Sequence, residues 1–207
     1  VSKYPTAGLN VTSLEVWRGD RRLFGELSFE LLPGEIAIIT GANGSGKTTL
    51  LRIMAGLGFP EDGLVTWRGQ DVRTITQEAR TAIVYQGHLE GLKMDLTVAE
   101  NLAFYRALWA ADAAVSPLLD ELGLADSADR QVRYLSAGQR RRVSLGCMRL
   151  RQAQLWLLDE PLTNLDIAGT EIVAGWLASH ADSGGTAVVA THLADRLVRN
   201  VAVEVEL

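Results

Sequence analysis

The sequence predicts an α/β fold, a parallel sheet covered by helices, with a smaller antiparallel β unit and a helical insertion between the second and third buried strands. Three observations predict it. Four apolar runs are continuous rather than alternating, which marks strands buried on both faces. The first runs into a glycine-rich loop that opens a helical pattern. The stretch between the second and third runs carries helix start and stop signals instead of strand patterns.

Taken in order, LNVTSLEVWRGDRRLF (9–24) reads as short antiparallel strands turning at Gly19-Asp20. EIAIIT (35–40) is the first buried strand, and KTTLLRIMAG is a helix stopped by Gly56. GLVTWRGQDV (63–72) adds antiparallel strands with turns at Gly63 and Gly69, and TAIVY (81–85) is the second buried strand. TVAE (97–100) forms a capping box for NLAFYRALWA, while Ser116 and Pro117 supply an N-cap and first-turn proline for LLDEL, closed by Gly123. QLWLLDE (154–160) and TAVVATH (186–192) are the third and fourth buried strands. VAVEVEL (201–207) alternates, as a half-exposed edge or antiparallel strand does. The expected organisation is one domain over 1–207, with the core and antiparallel unit in 1–87 and 151–207 and a helical subdomain in 88–150.

Formal net charge is -5, which argues against a general electrostatic grip on nucleic acid or anionic lipid. Cys147 is the only cysteine, excluding an internal disulfide and an all-cysteine metal site and fitting a reducing compartment. Apolar runs such as IAII and LWLL fall far below the roughly 20 residues of a spanning helix, and the N-terminus lacks a signal-peptide pattern. Any membrane role is therefore expected to be peripheral.

GANGSGKT (41–48) fits G-x-x-x-x-G-K-T between a buried strand and a helix, the context a polyphosphate cradle requires. Gly41, Gly44 and Gly46, with Ala42, Asn43 and Ser45 between them, let successive N–H groups face one centre; the helix start and Lys47 add positive charge. Thr48 is placed to ligate Mg2+ and Thr49 to reach an inner phosphate oxygen. The loop in this setting resembles that of a P-loop NTPase, which implies a RecA-like core. LWLLDEP ends a buried strand in two carboxylates, Asp159 as the Mg2+ partner and Glu160 as the base that deprotonates the attacking water. His192, after the fourth run, stands where open parallel sheets collect ligands and is expected at the terminal phosphate, whereas His180 reads as a helix-surface residue. In LSAGQ (135–139), Ser136 and Gln139 form a second capping box, and Ala137 and Gly138 leave that helix start uncluttered for a phosphate.

The order of phosphate loop, LSAGQ, LLDE and later histidine resembles the nucleotide-binding subunit of ABC transporters over nearly the whole chain. The resemblance implies ATP and Mg2+ as ligands, ATP hydrolysis, and a head-to-tail dimer in which Ser136, Gly138 and Gln139 act on the partner copy's nucleotide. It implies that TNLD (163–166), with Asp166, links the two sites. Arg140, Arg141 and Arg142 continue the signature helix as a solvated or salt-bridged face, one of them able to approach nucleotide. At the family's adenine-stacking position stands Arg18, with Trp17 adjacent; either can serve, and Trp17 can equally be core. Gln86 and His88 are the candidates for sensing the metal and coupling to a membrane partner, and the 88–98 loop, with Lys93 and Asp95, is the expected transmitting surface.

GH followed by GLK, the arginine at the adenine position, LSAGQRRRV and LWLLDEP look like the ATP-binding subunit of the cytochrome c maturation system. That implies haem export or handling with integral membrane subunits, at the cytoplasmic face of a bacterial inner membrane. With no C-x-x-C-H sequence, no direct haem binding is expected. Other readings are the ATPase of another small exporter of lipids, peptides or drugs, a soluble ABC protein of translation or DNA maintenance, and a noncatalytic nucleotide-binding module. Intact Lys47, Asp159, Glu160 and His192 argue against the last.

Overall fold

The computed structural model describes residues 8–193, 197 and 201–207; the expected 1–207 span extends beyond them. Strands β1 (Leu9–Arg18), β2 (Arg21–Leu31), β4 (Asp62–Trp67) and β5 (Gln70–Asp71) form an antiparallel sheet in the order β2-β1-β4-β5. Strands β3 (Ile36–Thr40), β6 (Ile83–Gln86), β7 (Leu155–Asp159), β8 (Thr186–Ala190) and β9 (Val203–Glu206) form the second sheet, ordered β6-β7-β8-β3-β9. All four predicted buried runs are present, and every pairing between them is parallel. β9 is an edge strand as its alternation implies, but it pairs parallel to β3, so the antiparallel alternative is corrected. Alternation reports one exposed face and carries no information about direction.

Apolar residues from opposite faces of the parallel sheet enter two cores. Helix α1 (Lys47–Met54) packs between that sheet and the antiparallel one, with Leu50, Leu51, Ile39, Leu157 and Val188 in a shared cluster. On the other face, Ile38, Leu158 and Val189 meet α3 (Val98–Leu108), α4 (Val115–Glu121), α5 (Ala137–Arg149) and α6 (Ile167–Asp182). The short α2 (Gln77–Thr81) precedes β6 and was not foreseen. Cys147 lies in the second core, where burial pushes its thiol up to about 12, so it behaves as a small apolar residue.

Helix ends follow local chemistry. Thr97 and Glu100 form the complete predicted capping box of α3. Gly56, at φ 69, ends α1 with Leu57 N–H donating to Arg52 O and Gly56 N–H to Ile53 O, the two bonds of a Schellman motif. α4 departs from expectation: its N-cap is Ala114 without a side-chain bond, and Ser116 and Pro117 lie within the first turn. A proline is tolerated there because the early N–H groups lack intrahelical acceptors.

Gly63 is also corrected. It lies inside β4, at φ 91, where β1 shifts register beside Ser13. A Cβ there would stand 2.5 Å from Ser13 O and 2.6 Å from Thr12 O, both backbone atoms. Gly63→Ala is therefore expected to lower unfolding free energy by about 2 kcal/mol or more, read as a reduced urea midpoint at unchanged slope.

Candidate nucleotide-binding and hydrolysis site

Parallel register places three chain segments at one end of the sheet: the loop after β3, the turn after β7, and the residues after β8. The loop after β3 turns through Gly41, Gly44 and Gly46 at φ 137, 81 and 115, conformations open to glycine. Gly46 is the N-cap of α1 and offers no side-chain cap, so the first amides of the helix remain open to an anionic ligand. Lys47, buried at 8% exposure, donates from Nζ to Gly41 O at 2.7 Å and Ala42 O at 3.2 Å. Ser45 Oγ is buried without a hydrogen-bond partner inside this loop. Such an orphaned oxygen fits a site built for a ligand that supplies the missing partner.

The adjoining pocket holds about 210 Å³ and is lined by Arg18, Leu23, Asn43, Gly44, Gly46, Lys47, Thr48, Thr49, Asp159 and Glu160. Thr48 Oγ1 donates to Asp159 Oδ2 at 2.8 Å, joining the helix start to the end of β7. A hydroxyl and a carboxylate are hard oxygen donors, the type a magnesium ion accepts. Glu160, the next residue, adopts φ 47 although it is not glycine, a backbone state of order 1–3 kcal/mol above the relaxed one. Its N–H donates to Ala190 O at 2.8 Å, and its carboxylate oxygen Oε2 lies 3.0 Å from His192 Nδ1. Glu160 lines the pocket and is 19% exposed at its side chain, whereas His192 is 64% exposed.

Several expected residues sit elsewhere. Gln86 lies on the opposite face of β6 from Asp159; its Nε2 donates to Ser144 Oγ of α5 at 2.9 Å. Strand alternation is the reason, and it leaves Gln86 apart from Thr48 and Asp159: Tyr85 takes the other face, its hydroxyl 3.5 Å from Asp159 Oδ2. Burial, reinforced by the Asp159 charge, holds the Tyr85 hydroxyl above its usual pKa and so protonated. Of the two adenine candidates, Arg18 lines the pocket; Trp17 does not, and it is exposed rather than core, with its indole N–H on Glu15 Oε1. His180 is half-buried on α6 rather than fully exposed: its ring stacks on Trp156 at 4.0 Å, and burial lowers its pKa.

The signature segment forms a second pocket of about 540 Å³, lined by Gly123, Ser136, Gly138, Gln139, Arg142, Asn164 and Asp166. The capping box of Ser136 and Gln139 is complete. Arg142 binds both oxygens of Asp166 at 2.6 Å, and Asp166 caps α6 through Gly169 N–H, which with Arg142 holds its carboxyl below the usual range. Gly138 has a role that its sequence context conceals, because a Cβ there would stand 2.6 Å from Asn164 O of the same chain. No residue lines both this pocket and the phosphate-loop pocket. A larger cavity of about 650 Å³, walled by Trp156, His180 and Arg149, includes none of the predicted site residues.

The family pattern described as ABC transporter matches residues 24–163. This chain belongs to the ABC transporter family. As an ABC-type ATPase it binds and hydrolyses ATP. It is 43% identical over 191 residues to the "Cytochrome c biogenesis ATP-binding export protein CcmA" of Nitrosomonas europaea, covering 91% of this chain and 90% of that one. It is 42% identical over 187 residues to the protein of the same description from Vibrio parahaemolyticus, covering 89% and 91%. An ABC transporter ATP-binding protein from Pyrococcus furiosus superposes with a TM-score of 0.81 at 20% identity over 97% of this chain and 98% of that one, a likeness of fold.

Among the described residues of this ABC site, Glu160 is the carboxylate paired with a histidine. Glu160→Gln is expected to keep ATP affinity while lowering steady-state turnover by roughly 10² to 10⁴, the usual worth of a positioned base. Nucleotide titration alongside phosphate release measures both.

Proposed function

We propose that this ATPase energises the export or handling of haem in cytochrome c biogenesis, as a peripheral subunit at the cytoplasmic face of a bacterial inner membrane. The relatives' printed description supports the process, and the residues that carry the resemblance support the subtype. Among the described residues, no helix is long and apolar enough to cross a membrane; in the proposed complex, integral subunits supply the path. The chain works as one ATP-binding domain, its core in 1–87 and 151–207 and its helical subdomain in 88–150.

One observation carries the assembly: the phosphate-loop pocket and the signature pocket have no lining residue in common. A single copy therefore presents two half-sites. Two copies arranged head to tail bring Ser136, Gly138 and Gln139 of each onto nucleotide held by Lys47 and Thr49 of the other. Arg18 stacks on the base, Glu160 takes the proton of the attacking water, and His192 orients Glu160 and the terminal phosphate. Thr48 and Asp159 would hold the magnesium ion, which supplies charge neutralisation on the phosphates when bound. Catalysis here is chiefly positioning and electrostatic stabilisation. Closing around two nucleotides biases an open–closed equilibrium that the membrane subunits read.

The docking surface of those subunits follows from exposed apolar side chains. Leu89 is 87% exposed, with Met94, Phe104 and Leu108 also exposed on the same loop and on α3. Lys93 is already engaged over the Phe104 ring and Asp95 with Arg133, which makes Leu89 the sharper probe. Leu89→Asp is expected to reduce retention on native membranes while leaving ATP binding intact, measured by co-sedimentation and nucleotide titration. Turnover per chain should rise with protein concentration across the dimerisation range. Full, concentration-independent turnover by a strictly monomeric preparation would overturn the two-copy site, and retention of unrelated membrane subunits would overturn the haem assignment.

A further inference from the structure

Arg141 is the middle residue of the basic run after the signature, and it is buried at 4% exposure. Among the described residues, its guanidinium forms no ion pair with a carboxylate. It donates instead to four backbone carbonyls: from Nη2 to Glu160 O at 2.9 Å and Asp159 O at 3.1 Å, from Nη1 to Gly87 O at 3.2 Å, and from Nε to Pro161 O at 3.3 Å. Burial lowers its pKa, opposed by the charges of Glu90, Asp159 and Glu160, yet an arginine stays protonated. A buried cation held only by carbonyls fixes where those carbonyls point, because each is an acceptor it cannot release without leaving a charge unsatisfied.

Three of the four carbonyls belong to the turn that presents Asp159 and Glu160, and the fourth follows β6. Neighbours on α5 grip the same following segment, Arg140 through Glu90 and Ser144 through Glu90 O at 2.6 Å. Only Arg141 among them continues to the carboxylate turn. Glu160 is held at φ 47 by Ala190 O on its N–H and by Arg141 and Thr163 N–H on its carbonyl.

We propose that Arg141 is a positioning residue for Glu160, a strut that links the signature helix and the segment after β6 to the geometry of the catalytic base. It is not among the residues that line the phosphate-loop pocket. A shift of α5 relative to the core moves the Glu160 carbonyl with it, so the base is aligned only when the helical subdomain is seated. The proposal rests on the ATPase function above and assigns that site a further residue.

A double-mutant cycle tests it, with wild type, Arg141→Gln, Glu160→Gln and the double variant compared in ATP affinity, kcat and melting temperature. Arg141→Gln is expected to lower kcat roughly 10- to 100-fold, the scale of a misplaced reacting group, with ATP affinity changed less than about 3-fold. In the Glu160→Gln background the same change should lower kcat by less than about 3-fold, because the group it positions is already gone. A merely structural role would instead lower kcat by equal factors in both backgrounds, or weaken ATP binding in step; either result, or an unchanged kcat, overturns the proposal. Should Arg141→Gln fail to fold, Arg141→Lys carries the same cycle, its point charge reaching fewer carbonyls. An inactive wild type would refute the ATPase function instead.

Discussion

The parallel hydrogen-bond register joining β7, β8 and β3 is the constraint on which the site depends. Ile39 and Asp159 both pair with Ala190, so three strands end at one level. Everything chemical then hangs from those ends: the phosphate loop after one, the two carboxylates after another, the histidine after the third. A parallel sheet permits this because its crossovers all return to the same starting edge.

From that level the site divides along strand alternation. Asp159 and Tyr85 face α1, while Gln86 faces α5. The Gln86–Ser144 bond and the Arg141 strut therefore lie on the helical side of the sheet, behind the carboxylates. The nucleotide pocket is bordered by α1 and, through Arg18 and Leu23, by β1 and β2. The sheet separates a chemical face from a control face, and Glu160, at its rim, is tied to both.

Much of this was legible because it is local. The phosphate loop needs glycines and a helix start in one continuous octapeptide, and the capping boxes at Thr97 and Ser136 need only residues three apart. The family order of motifs then placed Asp159, Glu160 and His192. What stayed hidden depended on long-range packing. Arg141 reads as part of a solvated or salt-bridged face, or as an approach to nucleotide, because nothing in QRRRV reveals that its side chain turns inward to carbonyls at 87 and 159–161. His180 looked exposed on a helix because its partner, Trp156, comes from another strand. Ser116 lost its capping role because the N-cap falls two residues earlier, at Ala114, and the direction of β9 left no trace in its own side chains. Tyr85 was the one missed residue with a readable signal, as the alternate neighbour of Gln86 at a strand end.

The contact between Gly138 and the Asn164 carbonyl bears on how defects in this segment are to be understood. The absent methyl group leaves room for the chain's own backbone, and the displaced strip would be the one carrying Asp166 and the start of α6. Genetic lesions at this glycine would thus first deform the copy that carries them, before any second molecule arrived. Reduced activity at position 138 reports on an internal joint as much as on a shared surface.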